Sequence, residues 1–369
     1  MEARSGLLGG SVRCTWVRLY FSRRIMVITR TPYRISFFGG GTDYPAWYLR
    51  HGGSALACAI NKYCYLTVRY LPPFFQHRYR LVYSVTELCS QISEIKHGGV
   101  RAVLEEHLFD RGVEIHHDGD LPARSGVGSS SSFTVGLLNA VNALKGRLLT
   151  RMEVATEAIR IEQEVLMETV GVQDQIMASF GGLQHLRFDR SGNLAATPVF
   201  PPPERMRHFE GHLMLVFTGQ SRNSSEIAKQ YVPALLQKEQ ILGQYNAMVE
   251  EGIQILHSEA RSMKEFGSLL HEGWQLKRSL SPVVSNPAVD LAYEVAMRNG
   301  ALGGKLLGAG GGGFLMLFAP PECHSRIREG LGGLIEVPVA IEHSGSQVIF
   351  FDRQQDYAEH DGMRHEQYK

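Results

Sequence analysis

Apolar and β-branched residues form short runs along this chain, separated by polar turns, which is typical of β-strands. The clearest runs predict strands at 27–30, 58–70, 79–85, 212–218, 314–318 and 347–351. Helical spacing of apolar residues is clearest over 151–169, where Thr150 and Glu153 also have the spacing of a capping box. Further helices are predicted over 130–144, 224–257, 259–280 and 287–299. Because helices and strands mix without regular βαβ alternation, we expect an α+β fold.

The length of 369 residues exceeds what one hydrophobic core normally serves, which predicts two packed lobes. The segment 190–210 contains three consecutive prolines and lacks periodicity, so it is the expected boundary. The lobes are therefore predicted as 26–205 and 206–352. Residues 353–369 have almost nothing to bury and are expected to form a tail.

The first 25 residues carry five arginines against a single acid, Glu2. An arginine-rich segment with few acids has the composition of a transit peptide. Alternatively, the functional start is Met26, which stands directly before the first predicted strand. We favour the second interpretation and place residues 1–25 outside the fold.

Composition narrows the class of function. The 38 basic residues balance 37 acidic ones, which does not favour binding to nucleic acid or to a membrane surface. Apolar runs stay below the roughly 18 residues of a membrane span. The five cysteines form no CxxC pair, which argues against structural zinc or a disulfide framework and favours a cytoplasmic location. The 39 glycines are clustered, which indicates close approach of the backbone to a ligand. Nothing in the sequence indicates an oligomeric state.

The strongest glycine cluster is LPARSGVGSSSSFTVGLLNAV, residues 121–141. Gly126 and Gly128 let the backbone bend around a ligand, and a helix is predicted to begin at once. Unpaired N–H groups and the positive end of the helix dipole suit an anion such as a phosphate. The hydroxyls of Ser129–Ser132 can donate to phosphate oxygens or bind a hard cation. The alternative is a serine-rich helix cap on a surface loop.

Two more glycine clusters flank this one. In TPYRISFFGGGTDYPAWY, residues 31–48, the glycines turn the chain and Asp43 follows, where its carboxylate can accept hydrogen bonds from sugar hydroxyls. The alternative is an Asx-type turn residue. The third cluster, 301–318, contains a GxGxxG match, but a strand follows where a dinucleotide site needs a helix. We therefore expect this loop to pack closely on another backbone.

Two of the acids in residues 159–182 are candidates for a role in catalysis. Glu162 lies near the end of the capped helix, and Asp174 follows the break at Gly171. Near a phosphate loop, two carboxylates suit a magnesium ligand and a general base. The alternative is that both are solvated acids on the surface.

Taken in their order along the chain, the four segments resemble the GHMP kinases, the family of galactokinase, homoserine kinase, mevalonate kinase and phosphomevalonate kinase. The most specific match is PxxxGxGSS, from Pro122 to Ser130, and the resemblance covers about 27–352. It implies an ATP-dependent phosphotransferase with two lobes. The amino-terminal lobe would resemble a domain of a ribosomal protein, and the carboxy-terminal lobe would be ferredoxin-like.

The resemblance also implies residue roles. Arg34 stands nine residues before Asp43, and would lie beside the transferred phosphoryl group while Asp43 binds the sugar. Gly40 and Gly41 replace an acidic residue and a histidine of galactokinase, so their contacts to the sugar must differ. Asp174 would take the proton from the acceptor hydroxyl.

Further roles concern ATP and its metal. The ATP phosphates would bind the backbone amides of Gly126, Val127, Gly128, Ser129 and Ser130. Mg²⁺ would bind Ser130 and Glu162, with Glu164 as the competing ligand on spacing. The third glycine cluster would support the phosphate loop through Gly310, Gly311 and Gly312.

Within the family, the details GGGTDYP, INKYCY and VGVQDQ are similar to the D-glycero-D-manno-heptose 7-phosphate kinases, which phosphorylate the anomeric hydroxyl to give a 1,7-bisphosphate. Part of the acceptor's phosphate site is expected at 218–225, where Arg222 lies between a predicted strand and a predicted helix. Two alternatives remain. One is another sugar 1-kinase, such as an L-fucokinase-like enzyme, and the other is a non-catalytic regulator that binds ATP and sugar.

Overall fold

The structure is a computed structural model that describes residues 23–107, 109, 111–219, 232–233 and 237–355. Arg222 and most of its predicted phosphate-binding segment lie outside these residues. The described helices are α1 (Pro45–His51), α2 (Gly98–Glu106), α3 (Ser129–Leu144), α4 (Arg151–Arg160), α5 (Gln173–Phe180), α6 (Pro203–Gly211), α7 (Glu239–His257), α8 (Met263–Leu280), α9 (Pro287–Arg298) and α10 (His324–Gly330). None of them combines the length and apolar character needed to cross a membrane.

The larger sheet holds most of the first half of the chain. Its strands are β1 (Arg23–Phe38), β2 (Gly53–Tyr70), β3 (Tyr79–Val82), β4 (Thr86–Cys89), β5 (Val113–Gly119), β6 (Leu183–Phe188) and β7 (Leu194–Pro198), joined by β12 (Gln347–Gln355). The order is β12-β1-β2-β5-β3-β4, and β6 pairs with both β2 and β7. Only β3 and β5 run parallel among these pairs, which agrees with the predicted α+β class.

The smaller sheet belongs to the second half of the chain. It contains β8 (Leu213–Phe217), β9 (Gly303–Leu306), β10 (Phe314–Phe318) and β11 (Ile335–Val337), in the order β11-β8-β10-β9. All its pairs are antiparallel. Helices α7 and α8 pack between this sheet and β1 and β2, so one continuous apolar core joins the two halves.

Helix α3 occupies the centre of the first half because its sequence is apolar on nearly every side. It packs on β1 and β2, and Gly136 permits the contact, since a Cβ there would lie 2.7 Å from the Thr31 hydroxyl. The capping box predicted at Thr150 and Glu153 is confirmed at the start of α4. The predicted helix 151–169 is shorter in the structure, because α4 ends at Arg160 and continues as a single π-helical turn, Ile161–Val165.

The structure adds two details at the predicted boundaries. The segment 190–210 contains ordered elements, since β7 pairs with β6 and α6 begins at Pro203, where proline suits the first turn of a helix. The last strand of the predicted 206–352 lobe returns to the larger sheet, where β12 pairs with β1 from Arg23↔Gln355 to Arg30↔Gln347. This pairing extends three residues beyond the predicted limits of 26 and 352, because β1 gains backbone hydrogen bonds on its second edge.

Candidate active site

A cavity of about 920 Å³ opens between the two halves and collects most of the predicted site residues. Those that line it are Arg34, Gly40, Gly41, Asp43, Gly126, Gly128, Ser129, Ser130 and Asp174. Val127 and Glu162 lie behind its surface, fully buried. The sequence therefore identified one real cluster from segments that are up to 140 residues apart.

The phosphate loop takes its shape from two glycines in the left-handed region. Gly128 has φ 76° and caps α3, so the first N–H groups of this 16-residue helix open towards the cavity. Gly126 has φ 87°, and a Cβ there would lie 2.5 Å from the Leu307 carbonyl oxygen. The Val127 carbonyl accepts the Arg34 backbone N–H at 3.0 Å, which fixes the loop to β1. Val127 thus contributes backbone, while its side chain belongs to the core.

Arg34 joins the phosphate loop to Asp174. Its guanidinium donates to both carboxylate oxygens of Asp174, from Nε at 2.8 Å and from Nη2 at 2.6 Å. Its remaining nitrogen, Nη1, donates to the Gly126 carbonyl at 2.5 Å. The Asp174 side chain is 27% exposed towards the cavity, whereas Arg34 is only 6% exposed. Bidentate, charge-assisted bonds of this kind fix the positions of both groups beside the phosphate loop.

Asp43 is the second carboxylate on the cavity wall. The Gly41 N–H donates to its Oδ1 at 3.0 Å, and Gly171 lies so close that a Cβ there would be 1.9 Å from Oδ2. Burial, followed by the nearby charge of Asp174, raises the pKa of Asp43 above its usual value. An acceptor that offers hydroxyl donors to this carboxylate would stabilise its ionised form.

Glu162 is fully buried beneath the floor of the cavity. The hydroxyl of Ser131 donates to its Oε2 at 2.9 Å, as does the amide of Gln175 at 2.5 Å. Its Oε1 accepts no hydrogen bond among the described residues, and burial raises the pKa of Glu162 to about 7. Glu164 is exposed and does not line the cavity.

These observations fit a divalent cation. A buried carboxylate with one oxygen left unbonded would be stabilised by a nearby cation, and oxygen donors suit Mg²⁺. Ser130 lies exposed on the cavity wall, while Ser131, one residue further, contacts Glu162. The geometry thus favours Glu162 over Glu164 as the candidate metal ligand. It also shows that the Ser131 hydroxyl fixes the Glu162 carboxylate.

The third glycine cluster packs on the phosphate loop through other glycines than those predicted. A Cβ on Gly308 would lie 2.7 Å from Gly126 Cα, and one on Gly313 would lie 2.2 Å from the Ser125 carbonyl oxygen. Gly310 and Gly311 instead contact Val284, and Gly312 is buried. The expected close packing of this loop on another backbone is therefore present. The predicted support by Gly310, Gly311 and Gly312 is indirect, because the loop reverses direction between its two ends.

One wall of the cavity consists of aromatic and imidazole rings that the sequence analysis did not predict. His97 stacks on Phe133 with ring centroids 4.7 Å apart, and His117 meets the same ring edge-on at 5.2 Å. Burial lowers the pKa of both histidines, which favours neutral rings. Glu87 fixes this wall by accepting from the Tyr83 hydroxyl and from the His97 backbone N–H. A flat, neutral wall beside a phosphate loop suits the base of a nucleotide.

The same cavity is lined by Lys277, Lys305 and Glu168, which the sequence analysis did not identify. The pattern GGKLL around Lys305 was a usable signal, because it places one charge inside an otherwise buried strand. Lys277 lies on α8 beside apolar residues and gave no comparable signal.

Comparison with known proteins agrees with this geometry. Family models for the GHMP kinases N terminal domain and the GHMP kinases C terminal match residues 94–182 and 254–331. A D-glycero-alpha-D-manno-heptose 7-phosphate kinase of Campylobacter jejuni is 27% identical over 79% of this chain and 89% of its own length. An L-fucokinase/L-fucose-1-P guanylyltransferase of Bacteroides fragilis is 28% identical over 88% of this chain, which spans only 38% of that protein.

Solved structures share the fold. A D-glycero-D-manno-heptose 1-phosphate kinase described from Bacteriodes thetaiotaomicron superposes with a TM-score of 0.71 at 21% identity, over 90% of this chain and 100% of its own. A Lactococcus lactis galactokinase complexed with galactose gives a TM-score of 0.68 at 17% identity, over 88% and 95% of the two chains. The chain therefore contains both GHMP kinase domains, N terminal and C terminal, and together with the phosphate loop at Gly126 and Gly128 they support a phosphotransferase with a hydroxyl group as acceptor.

Proposed function

We propose that the protein uses ATP to phosphorylate the anomeric hydroxyl of D-glycero-D-manno-heptose 7-phosphate, giving the 1,7-bisphosphate, in the cytoplasm. The observation that carries the proposal is the bidentate contact between Arg34 and Asp174 beside the Gly126 carbonyl. This contact supports the proposal, because Asp174 would serve as the proton acceptor and Arg34 as the cation beside the phosphate loop. The similarity to the Campylobacter jejuni heptose 7-phosphate kinase supports the choice of acceptor.

Each residue then has a part in the transfer. The amides of 126–130 and the positive end of α3 would hold the ATP phosphates. Asp174 would accept the anomeric proton as the sugar oxygen attacks the γ-phosphorus and the bond to the ADP oxygen breaks. Arg34 would offset the charge that develops between them. Asp43, with the backbone at Gly40 and Gly41, would orient the sugar ring. Arg222 keeps its predicted role as an acceptor contact.

Mg²⁺ would be held by Glu162 and Ser130, where it would neutralise charge on the ATP phosphates. We expect Glu162→Gln and Ser130→Ala each to raise the Mg²⁺ concentration needed for half-maximal rate, because each removes an oxygen ligand. The measurement is initial rate against Mg²⁺ at saturating ATP. Glu164→Gln is the matched control, since it removes an exposed acid two residues away. A shift in the Glu164 variant alone would move the metal ligand to Glu164.

A second candidate is an L-fucokinase-like sugar 1-kinase. The observation in its favour is the similarity to two larger proteins whose names include a fucokinase, from Arabidopsis thaliana and Bacteroides fragilis, of which this chain spans 30% and 38%. A third, a non-catalytic regulator that binds ATP and sugar, is disfavoured because Asp174 and Glu162 are both in place.

An acceptor panel separates these candidates. We expect ATP-dependent turnover with D-glycero-D-manno-heptose 7-phosphate, and phosphorus NMR of the product should show a new phosphate on the anomeric oxygen. L-fucose and unphosphorylated heptose, tested at the same concentrations, should react at least tenfold more slowly, since a phosphate contact is worth about that much or more. Preferential turnover of L-fucose would favour the second candidate, and absence of turnover with every sugar would favour the regulator.

A further inference from the structure

Two lysines from different elements of the second half line the cavity without an assigned role. Lys305 lies on β9, is 6% exposed, and donates from Nζ to the Phe37 carbonyl at 3.1 Å. Lys277 lies on α8 and donates from Nζ to the carbonyls of Leu306 at 3.2 Å and Gly308 at 2.5 Å. Both ammonium groups are therefore fixed by backbone oxygens, at the place where the second half of the chain meets β1.

The charges around these lysines are not balanced. Within the described part of the chain, neither ammonium forms an ion pair with a carboxylate. Arg34 adds a third cation, but its partner Asp174 is already engaged by two hydrogen bonds. Asp43 is the acid that acts on both lysines, and it also accepts from the Gly41 amide. When both amines are protonated, three cations would face the carboxylates of Asp43 and Asp174, and the ammonium groups retain N–H donors beyond those that the carbonyls use.

We propose that Lys277 and Lys305 bind the phosphate group of the acceptor sugar. The inference rests on the proposed function and names the residues that would select a phosphorylated sugar. A phosphate dianion supplies the missing negative charge and enough oxygens for the remaining N–H donors. The ATP phosphates already have the phosphate loop and α3, whereas the lysines share Asp43, the residue proposed to orient the sugar.

The surroundings of the two lysines also affect their protonation. Burial, the neighbouring Arg34 and the opposing effect of Asp43 together lower the pKa of Lys305 to about 7, and burial and Lys305 lower that of Lys277 well below its usual value. Phosphate binding would raise both pKa values, because an anion favours the charged amine. At pH 8 the free enzyme would hold Lys305 largely neutral, so sugar phosphate binding would take up protons from the buffer.

Substitution with methionine tests the assignment, because methionine keeps an unbranched side chain without the charge. We expect Lys277→Met and Lys305→Met each to raise KM for D-glycero-D-manno-heptose 7-phosphate on the order of tenfold or more. KM for ATP and for the unphosphorylated heptose should stay within about twofold of wild type, as expected when only the phosphate contact is lost. Lys238→Met is the matched control, since its ammonium also donates to two carbonyls, of Ser279 and Leu280, but does not line the cavity.

Calorimetry gives a second measurement that is independent of turnover. Titration of the wild type with heptose 7-phosphate at pH 8, in two buffers of different ionisation enthalpy, should show proton uptake on binding, and Lys305→Met should reduce it. Equal losses for the phosphorylated and unphosphorylated sugars, a raised KM for ATP, or binding without proton uptake would each overturn the lysine assignment. A wild type that turns over only unphosphorylated sugars would contradict the proposed function instead.

Discussion

Asp174→Asn should fold and bind ATP but lose turnover by roughly 10²–10⁴-fold, the usual contribution of a general base. The amide oxygen can still accept one hydrogen bond from Arg34, so the geometry of the cavity should be kept. The amide cannot take the proton of the acceptor hydroxyl. The loss should therefore fall on kcat, with KM for ATP nearly unchanged.

The chain offers a close control for the broken ion pair. Asp290 contacts Arg278 at 2.9 Å and is 28% exposed, compared with 27% for Asp174, but it does not line the cavity. Asp290→Asn should therefore break an ion pair outside the cavity while leaving kcat at the wild-type value. Steady-state kinetics and a thermal melt of both variants provide the comparison. An Asp174→Asn enzyme that keeps more than half of the wild-type kcat would remove Asp174 from the base role.

Local features of the site could be predicted because local rules govern them. Gly126 and Gly128 indicated a bend of the backbone before a helix, which the structure forms in the left-handed region, and the capping box at Thr150 indicated the start of α4. The carboxylates Glu162 and Asp174 could be proposed as a pair because one short segment carries both. The structure places Asp174 against Arg34, and Glu162 against Ser131 beneath the floor.

Contacts between distant segments could not be read in the same way. The pattern of β12 predicts a strand, but no periodicity states that its partner is β1, more than 300 residues away. Lys305 becomes informative only when its Nζ is seen at the Phe37 carbonyl, and Lys277 only when α8 is seen to close the cavity. A glycine-rich run likewise does not show which glycines meet the phosphate loop. The answer, Gly308 and Gly313, depends on how the loop folds back.

Gly126→Ala should reduce kcat/KM for ATP by about 10²-fold, the effect expected of a displacement of roughly 1 Å at a reacting group. The new Cβ would lie 2.5 Å from the Leu307 carbonyl oxygen, so either the phosphate loop or the third glycine cluster must move. Movement of this loop also releases the Gly126 carbonyl from Arg34 and thereby disturbs the position of Asp174.

Gly146→Ala separates this close contact from the cost of backbone strain. Gly146 has φ 72°, close to the 87° of Gly126, but nothing lies within 4 Å of the Cβ that the substitution would add. Both variants should lose about 1–2 kcal/mol of stability from the left-handed backbone alone. Only Gly126→Ala should lose ATP binding, measured by titration with a non-hydrolysable analogue. Equal kinetic losses in the two variants would mean that strain, and not the contact between the phosphate loop and Leu307, determines the activity.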